Sequence, residues 1–344
     1  MDGMATQMWR LVGTVIVSLI WIARFASAQS LERFSFAEPH LGTIIELTLY
    51  APEESVANEG AQAAFTRVKE LDRIFSDYKP GSEAMRLCEN AGSGRPVKVS
   101  SELFHLLRQA VAVSEQTDGA FDVTVGPLVQ LWRRARREKR LPNPDEIAIA
   151  KKCVGWRHVT FDEAEQTIEL KRPGMRLDFG GIAKGYIAQD VARVLRQRGL
   201  NQTLVAVAGD IVASDPPPNA EGWKIGVAPL DRPNGAPSRL LLLKNGAIST
   251  SGDAFQFVEI AGVRYSHIVD PQTGLGLTGR SSVTVVARDG TMADALATAV
   301  CVLGSERGLK LIEDSDQTDA LIVQATDSGI RVLESKTFRA HEMK

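Results

Sequence analysis

The spacing of apolar residues changes character at Trp156, and that change constrains the fold of this 344-residue chain more than any other feature. Before it, apolar side chains recur every three or four positions. Ala64, Phe65, Val68, Leu71, Ile74 and Phe75 predict a helix over 55–76. Leu103, Leu106, Leu107, Ala110, Val111 and Val113 predict another over 101–116, which Gly119 ends. A third, 127–139, turns basic in WRRARREKR and stops at Pro142 and Pro144, after which Asp145 opens a short helix. After Trp156, short β-branched runs predict strands at 157–161, 167–171, 203–207, 223–228, 238–243, 257–260, 281–287, 320–324 and 329–333. Helices interrupt them at 185–198, 292–303 and 305–314, and one strand, 43–50, precedes the helical stretch. Strands and helices mix without βαβ alternation, so the class is α+β.

The N-terminus reads as something other than fold. Arg10 precedes an apolar run over 11–22, and Ala26-Ser27-Ala28 supplies small residues where a signal peptidase cuts. That run is shorter than the roughly 20 residues a membrane span needs. The expectation is a cleaved signal peptide, 1–28, a single domain over 29–344, and a periplasmic location. Left uncleaved, the segment would associate the protein with the inner membrane. The net charge of −2 implies no general attraction to nucleic acid. Three cysteines without a CxxC pair exclude a disulfide framework, and five scattered histidines without HExxH argue against zinc. The basic run has two readings, a docking patch for an acidic partner and a solvated helix face, the commoner fate of such runs.

Four segments carry chemistry. In LDFGGIAKGY, 177–186, a strand ending at Asp178 and two glycines lead into a helix with Lys184 in its first turn. Exposed N–H groups there, with a lysine beside them, suit a phosphate, and Asp178 would accept a hydrogen bond from a base or ring amide. In ADALATA, 293–299, Asp294 and Thr298 stand four apart, on one face of a helix, as a hard oxygen pair suited to Mg²⁺. In YSHIVDP, 265–271, His267 sits near a turn and could take a proton from a hydroxyl nucleophile. In GAFDVTVGPL, 119–128, a turn enters an apolar strand that carries Asp122, while Tyr78 in SDY offers a flat face for stacking. Each alone reads equally well as core, turn or surface.

Together, and in this order, FDVTVGPL, LDFGGIAKGY, ISTSGD, YSHIVDP and ADALATA resemble the FAD:protein FMN transferases, the ApbE family, across about 34–333. The resemblance implies an ApbE-like α+β fold of mixed or antiparallel sheets with packed helices, its active site in a cleft between two lobes. It implies Mg²⁺-dependent transfer of FMN from FAD to a Thr or Ser hydroxyl of an acceptor protein, with release of AMP. Gly181, through its carbonyl, Asp294 and Thr298 would hold the metal. Leu41, Tyr78, Ala120, Phe121, Asp122, Asp178, Lys184 and Ile268 would contact FAD, and His267 would be the base. The implied acceptor is an exported or membrane-attached redox protein. The same site could instead hydrolyse FAD to FMN and AMP, and a third reading is a flavin-binding protein without catalysis. Two departures stand out: Leu41 where many relatives have Met, and Ala208 in AVAGDI where relatives more often have Gly.

Overall fold

The computed structural model describes residues 30–343 apart from Pro233 and Phe255. The expected signal peptide, 1–28, lies outside the described residues. Leu31–Lys344 forms one compact unit. Its frame is an eight-stranded sheet of β1 (Glu32–His40), β2 (Thr43–Ala51), β3 (Thr203–Val207), β4 (Asp210–Ala213), β5 (Gly246–Gly252), β6 (Ser281–Ala287), β7 (Asp319–Thr326) and β8 (Gly329–Glu334). These strands lie side by side in sequence order, and every neighbouring pair is antiparallel. The rest of the chain is inserted between them. Residues 52–202 hold α1 (Glu54–Phe75), α2 (Glu83–Glu89), α3 (Ser101–Gln116), α4 (Gly126–Glu138), α5 (Pro144–Lys152), a small three-stranded sheet and α6 (Ala183–Gln197). A hairpin of Trp223–Val227 and Arg239–Leu243 separates β4 from β5. A second three-stranded sheet, Phe257–Ile260, Val263–Val269 and Gly276–Thr278, separates β5 from β6. Two helices, α7 (Gly290–Leu303) and α8 (Ser305–Glu313), join β6 to β7.

Alternation along the strands feeds two cores. Ala247, Val285 and Ala320 face the main core with Leu71, Leu106, Ile187 and Leu296 of the helices. Their neighbours Ile248, Val286 and Leu321 face Trp223, Leu241 and Phe338 on the other side. Two-residue turns close the hairpins at one end of the sheet. Leu41 and Gly42 link β1 to β2 with φ of 54° and 71°, the left-handed pair a type I′ turn requires. Ala208 and Gly209 link β3 to β4, Ala208 at φ 55°.

Two local expectations are corrected. FDVTVGPL is a turn running into α4 rather than a strand, with Asp122 shaping the turn. Leu177 and Asp178 also lie outside any strand. That segment is held by an isolated parallel bridge from Arg176 to Val125 and by the Asp178 N–H donating to Val123 O at 2.8 Å. Both segments are apolar because they are buried, and burial alone does not distinguish a strand from an extended connection. Periodicity does not predict β1, β5 or α2. β5, GAISTSG, carries small polar residues of the kind that usually marks a loop.

Candidate active site

Strand register gathers polar residues at the turn end of the sheet. Val207 pairs with Asp210, and Asp210 with Ser249, so the Ala208-Gly209 turn lies beside residues 249–251 of β5. The N-terminal turns of α6 and α7 meet at the same place. An ideal Cβ on Gly185 would sit 1.9 Å from Gly290 O, and one on Gly290 would sit 2.6 Å from Gly185 O. Only glycine at both positions lets the helices approach so closely.

This crossing brings Lys184 between two carboxylates. Its Nζ lies 2.7 Å from Asp210 Oδ2 and 3.3 Å from Asp294 Oδ1. The Gly185 N–H donates to Asp294 Oδ2 at 3.1 Å, and the Ser249 hydroxyl donates to Asp210. Asp210 is 3% exposed and Asp294 1%. Two buried carboxylates against one ammonium leave a negative charge unbalanced where screening by water is weak. Burial and the neighbouring Asp210 charge push the Asp294 carboxyl above its ordinary range, against the pull of Lys184. Burial alone would lower the Lys184 ammonium, but the two carboxylates outweigh it and the net shift is upward.

The oxygens around this charge suit a hard divalent cation. Thr298 stands one turn beyond Asp294 on α7, and its Oγ1 lies 3.4 Å from Ser251 Oγ. A Cβ on Gly181 would fall 2.7 Å from that same Oγ1, so the Gly181 backbone packs directly on Thr298. Among the described residues no group of three His, Cys, Asp or Glu side chains is placed to hold a metal. A cation here would therefore draw on hydroxyl and carbonyl oxygens with one carboxylate, a donor set that fits Mg²⁺. Gly181, Asp294 and Thr298 are brought together.

His267 comes from the inserted sheet. Asp253, at the end of β5, accepts from Arg264 Nε at 2.5 Å and from the Ser281 N–H at 3.1 Å, tying that sheet to β6. From the other side α4 packs on it, with Trp132 5.1 Å from Tyr265 and its Nε1–H donating to Gly274 O at 2.9 Å. The His267 Nδ1 lies 3.1 Å from Gln256 O, an acceptor, so the proton resides on Nδ1 and Nε2 keeps a free lone pair. Burial pushes the imidazole down to about 4, aided by the positive charges of Arg136 and Lys184 and opposed by the Gln256 hydrogen bond. It is neutral at pH 7. Ile268, the next residue along the strand, is buried.

A third cluster joins Tyr78, Asp77 and Asp178. Arg133 Nη2 donates to Asp77 Oδ2 at 2.6 Å and to Asp178 Oδ2 at 3.1 Å, and its guanidinium lies 4.1 Å from the centre of the Tyr78 ring. Asp77 is pushed up by burial and by the Asp178 charge. Asp122 is different: it accepts from Thr124 N and Oγ1 at 2.8 and 2.6 Å and from Trp156 N at 3.1 Å. Its side chain is thus occupied in pinning the turn that precedes α4. Ala120 and Phe121 are buried in that turn, and Leu41 is half-buried at its hairpin tip.

Sequence reasoning misses Asp210, Ser249, Ser251 and Arg133. Asp210 has a signal: an acidic residue directly after a tight turn. Arg133 has none, because a basic run does not say which of its members turns inward. A cavity of about 480 Å³ lined by Tyr186, Gln189, Arg193, Asn245 and Arg288 includes none of the site residues named above.

The chain matches the ApbE family model over residues 41–322. It is 30% identical over 331 residues to the FAD:protein FMN transferase of Treponema pallidum, covering 92% of this chain and 91% of that one. It is 30% identical over 313 residues to the protein of the same name from Vibrio cholerae, covering 90% and 92%. Its fold superposes on the flavin transferase ApbE structure from V. cholerae with a TM-score of 0.82 at 29% identity, over 91% of this chain and 100% of that one. The ApbE protein of Thermotoga maritima gives 0.81 at 31% identity, over 91% and 100%.

Proposed function

Because this chain belongs to the ApbE family, we propose that it transfers the FMN half of FAD to a Thr or Ser hydroxyl of an acceptor protein, with Mg²⁺ required and AMP released. The observation that carries this reading is the unbalanced carboxylate pair at Lys184, with the Thr298, Ser251 and Gly181 oxygens beside it and a neutral histidine in the same unit. Gly181, Asp294 and Thr298 would hold the cation. Bound there, Mg²⁺ would offset the charge of a diphosphate.

The protein's own groups supply the remaining steps. Lys184, fixed by Asp210 and Asp294, keeps one positive charge beside the phosphates. Tyr78 and Asp178 offer a ring face and an acceptor for the dinucleotide. The acceptor hydroxyl gives its proton to His267 Nε2 as its oxygen bonds to the phosphorus on the FMN side. The diphosphate bridge breaks, and its oxygen leaves with AMP. The acceptor of this reading is an exported or membrane-attached redox protein, and the apolar run at 11–22 supports export.

Chromatography of an FAD incubation with Mg²⁺ and a threonine-containing acceptor tests the proposal. AMP and FMN-bearing acceptor should rise together, and Asp294→Ala should abolish the response to added Mg²⁺. Free FMN in step with AMP, with no modified acceptor, would point to hydrolysis instead. An unchanged Mg²⁺ response in Asp294→Ala would remove the metal assignment.

A further inference from the structure

Arg133 lies in a run of basic residues on α4, yet it does not behave like its neighbours. Arg134 pairs with Glu146, and Arg136 and Arg137 are exposed. Arg133 turns inward and ties together three segments that are distant in sequence. Its Nη2 bridges Asp77, in the loop after α1, and Asp178, in the segment before α6, while its guanidinium plane covers the Tyr78 ring. Tyr78 is 71% exposed and stacks on no aromatic residue among those described, so this cation is the group that orients its ring. Asp178 Oδ1 is separately held by the Gly180 N–H at 2.9 Å. One carboxylate oxygen is thus set by the glycine turn and the other by Arg133.

We propose that Arg133 is the positioning residue of the flat-ring subsite, holding the Asp178 carboxylate and the Tyr78 ring in the relation that receives one ring system of the dinucleotide. The inference rests on the transferase reading, which gives Tyr78 and Asp178 their ligand. It goes beyond that reading by assigning part of the affinity for FAD to a residue outside the motifs. A guanidinium suits the task because its planar fork can bridge two carboxylates and stack on an aromatic face at once. An ammonium is a point charge and cannot do both. Nη1 and Nε of Arg133 form no hydrogen bonds among the described residues. The fork therefore keeps donors for a ring carbonyl adjacent to the group that Asp178 accepts from.

The test is FAD affinity by flavin-fluorescence titration of the full chain with Mg²⁺, alongside steady-state KM and kcat. Arg133→Met should raise Kd and KM for FAD by about tenfold to a hundredfold, as expected for loss of charge-assisted hydrogen bonds. Its kcat should change by less than about threefold, since no group at the reacting phosphorus is touched. Arg133→Lys should recover only part of the loss. A purely structural ion pair would instead lower thermal stability and kcat with KM unchanged, and that result overturns the inference. Should Arg133→Met fail to fold, Arg133→Lys decides: a KM at the wild-type value overturns it. Failure of the wild-type chain to bind or cleave FAD sinks the transferase reading and this inference with it. Normal wild-type activity with an unchanged Kd in Arg133→Met sinks the inference alone.

Discussion

Two residues show how far local chemistry departs from what their types alone suggest. A histidine is expected to titrate near neutrality, but burial pushes His267 down to about 4. Only the neutral ring accepts a proton, so in the proposed mechanism protonation of His267 removes activity as pH falls through that value. With respect to His267, FMN transfer should be flat from pH 6 to 8, its acid limb lying well below 6.5. At saturating Mg²⁺, which would hold Asp294 ionised, a pH–rate profile of kcat with an acid limb at 6.5 would contradict this. His267→Ala should retain FAD binding and lose transfer by about 10² to 10⁴. Ala208 is the second case. It stands in AVAGDI where relatives more often have Gly, so its methyl is the departure. In the structure the residue is exposed, and its cost is a φ of 55°. The left-handed conformation costs a non-glycine residue about 1–2 kcal/mol, and the extra freedom of unfolded glycine returns about 0.4–1 kcal/mol of that. Ala208→Gly should therefore stabilise the fold by up to about 1.6 kcal/mol, read as a higher denaturant midpoint. A lower midpoint would show that the freedom of the unfolded glycine outweighs the relief of turn strain.

At the scale of elements, the candidate site depends on two helices packing closely at their N-terminal turns. Gly185 on α6 looks like a weak point, since replacing it by alanine should favour a helix by about 1 kcal/mol. Packing argues the other way. The new Cβ would lie 1.9 Å from Gly290 O and 2.8 Å from Asp294 Cβ, backbone and site atoms with no freedom to retreat. Overpacking of this kind costs about 1–3 kcal/mol. Gly185→Ala should melt at a lower temperature than the wild type and respond more weakly to Mg²⁺, because Asp294 must move. A rise in melting temperature would mean that helix propensity wins and that the crossing is looser than described. The same crossing explains why neither Asp294 nor Lys184 could be ranked from its own motif: their partnership is created by glycines on two helices more than a hundred residues apart in the chain.

Across the whole molecule, legibility follows periodicity. Most long helices and the apolar strands 203–207, 257–260 and 281–287 agree with the sequence expectation to within about two residues. What escaped was long-range in origin. β5 is strand because it pairs with β4 on one side and β6 on the other, and nothing in GAISTSG shows those partners. The eight strands run in order along one sheet although 151 residues separate β2 from β3, and no local pattern reveals that the chain returns to the same edge. The candidate site residues came from motif resemblance, and the placement of Asp210, Ser249, Ser251 and Arg133 beside them came from the structure. If this single unit, with its carboxylate pair and neutral histidine, moves FMN onto a protein hydroxyl, the acceptor must gain the mass of FMN. Intact-mass spectrometry of a co-expressed exported redox protein reads that gain. One FMN should be added through a phosphoester to a Thr or Ser, and the addition should vanish when His267 is replaced by alanine. An acceptor of unchanged mass, with FAD recovered whole in the presence of Mg²⁺, would contradict the transfer.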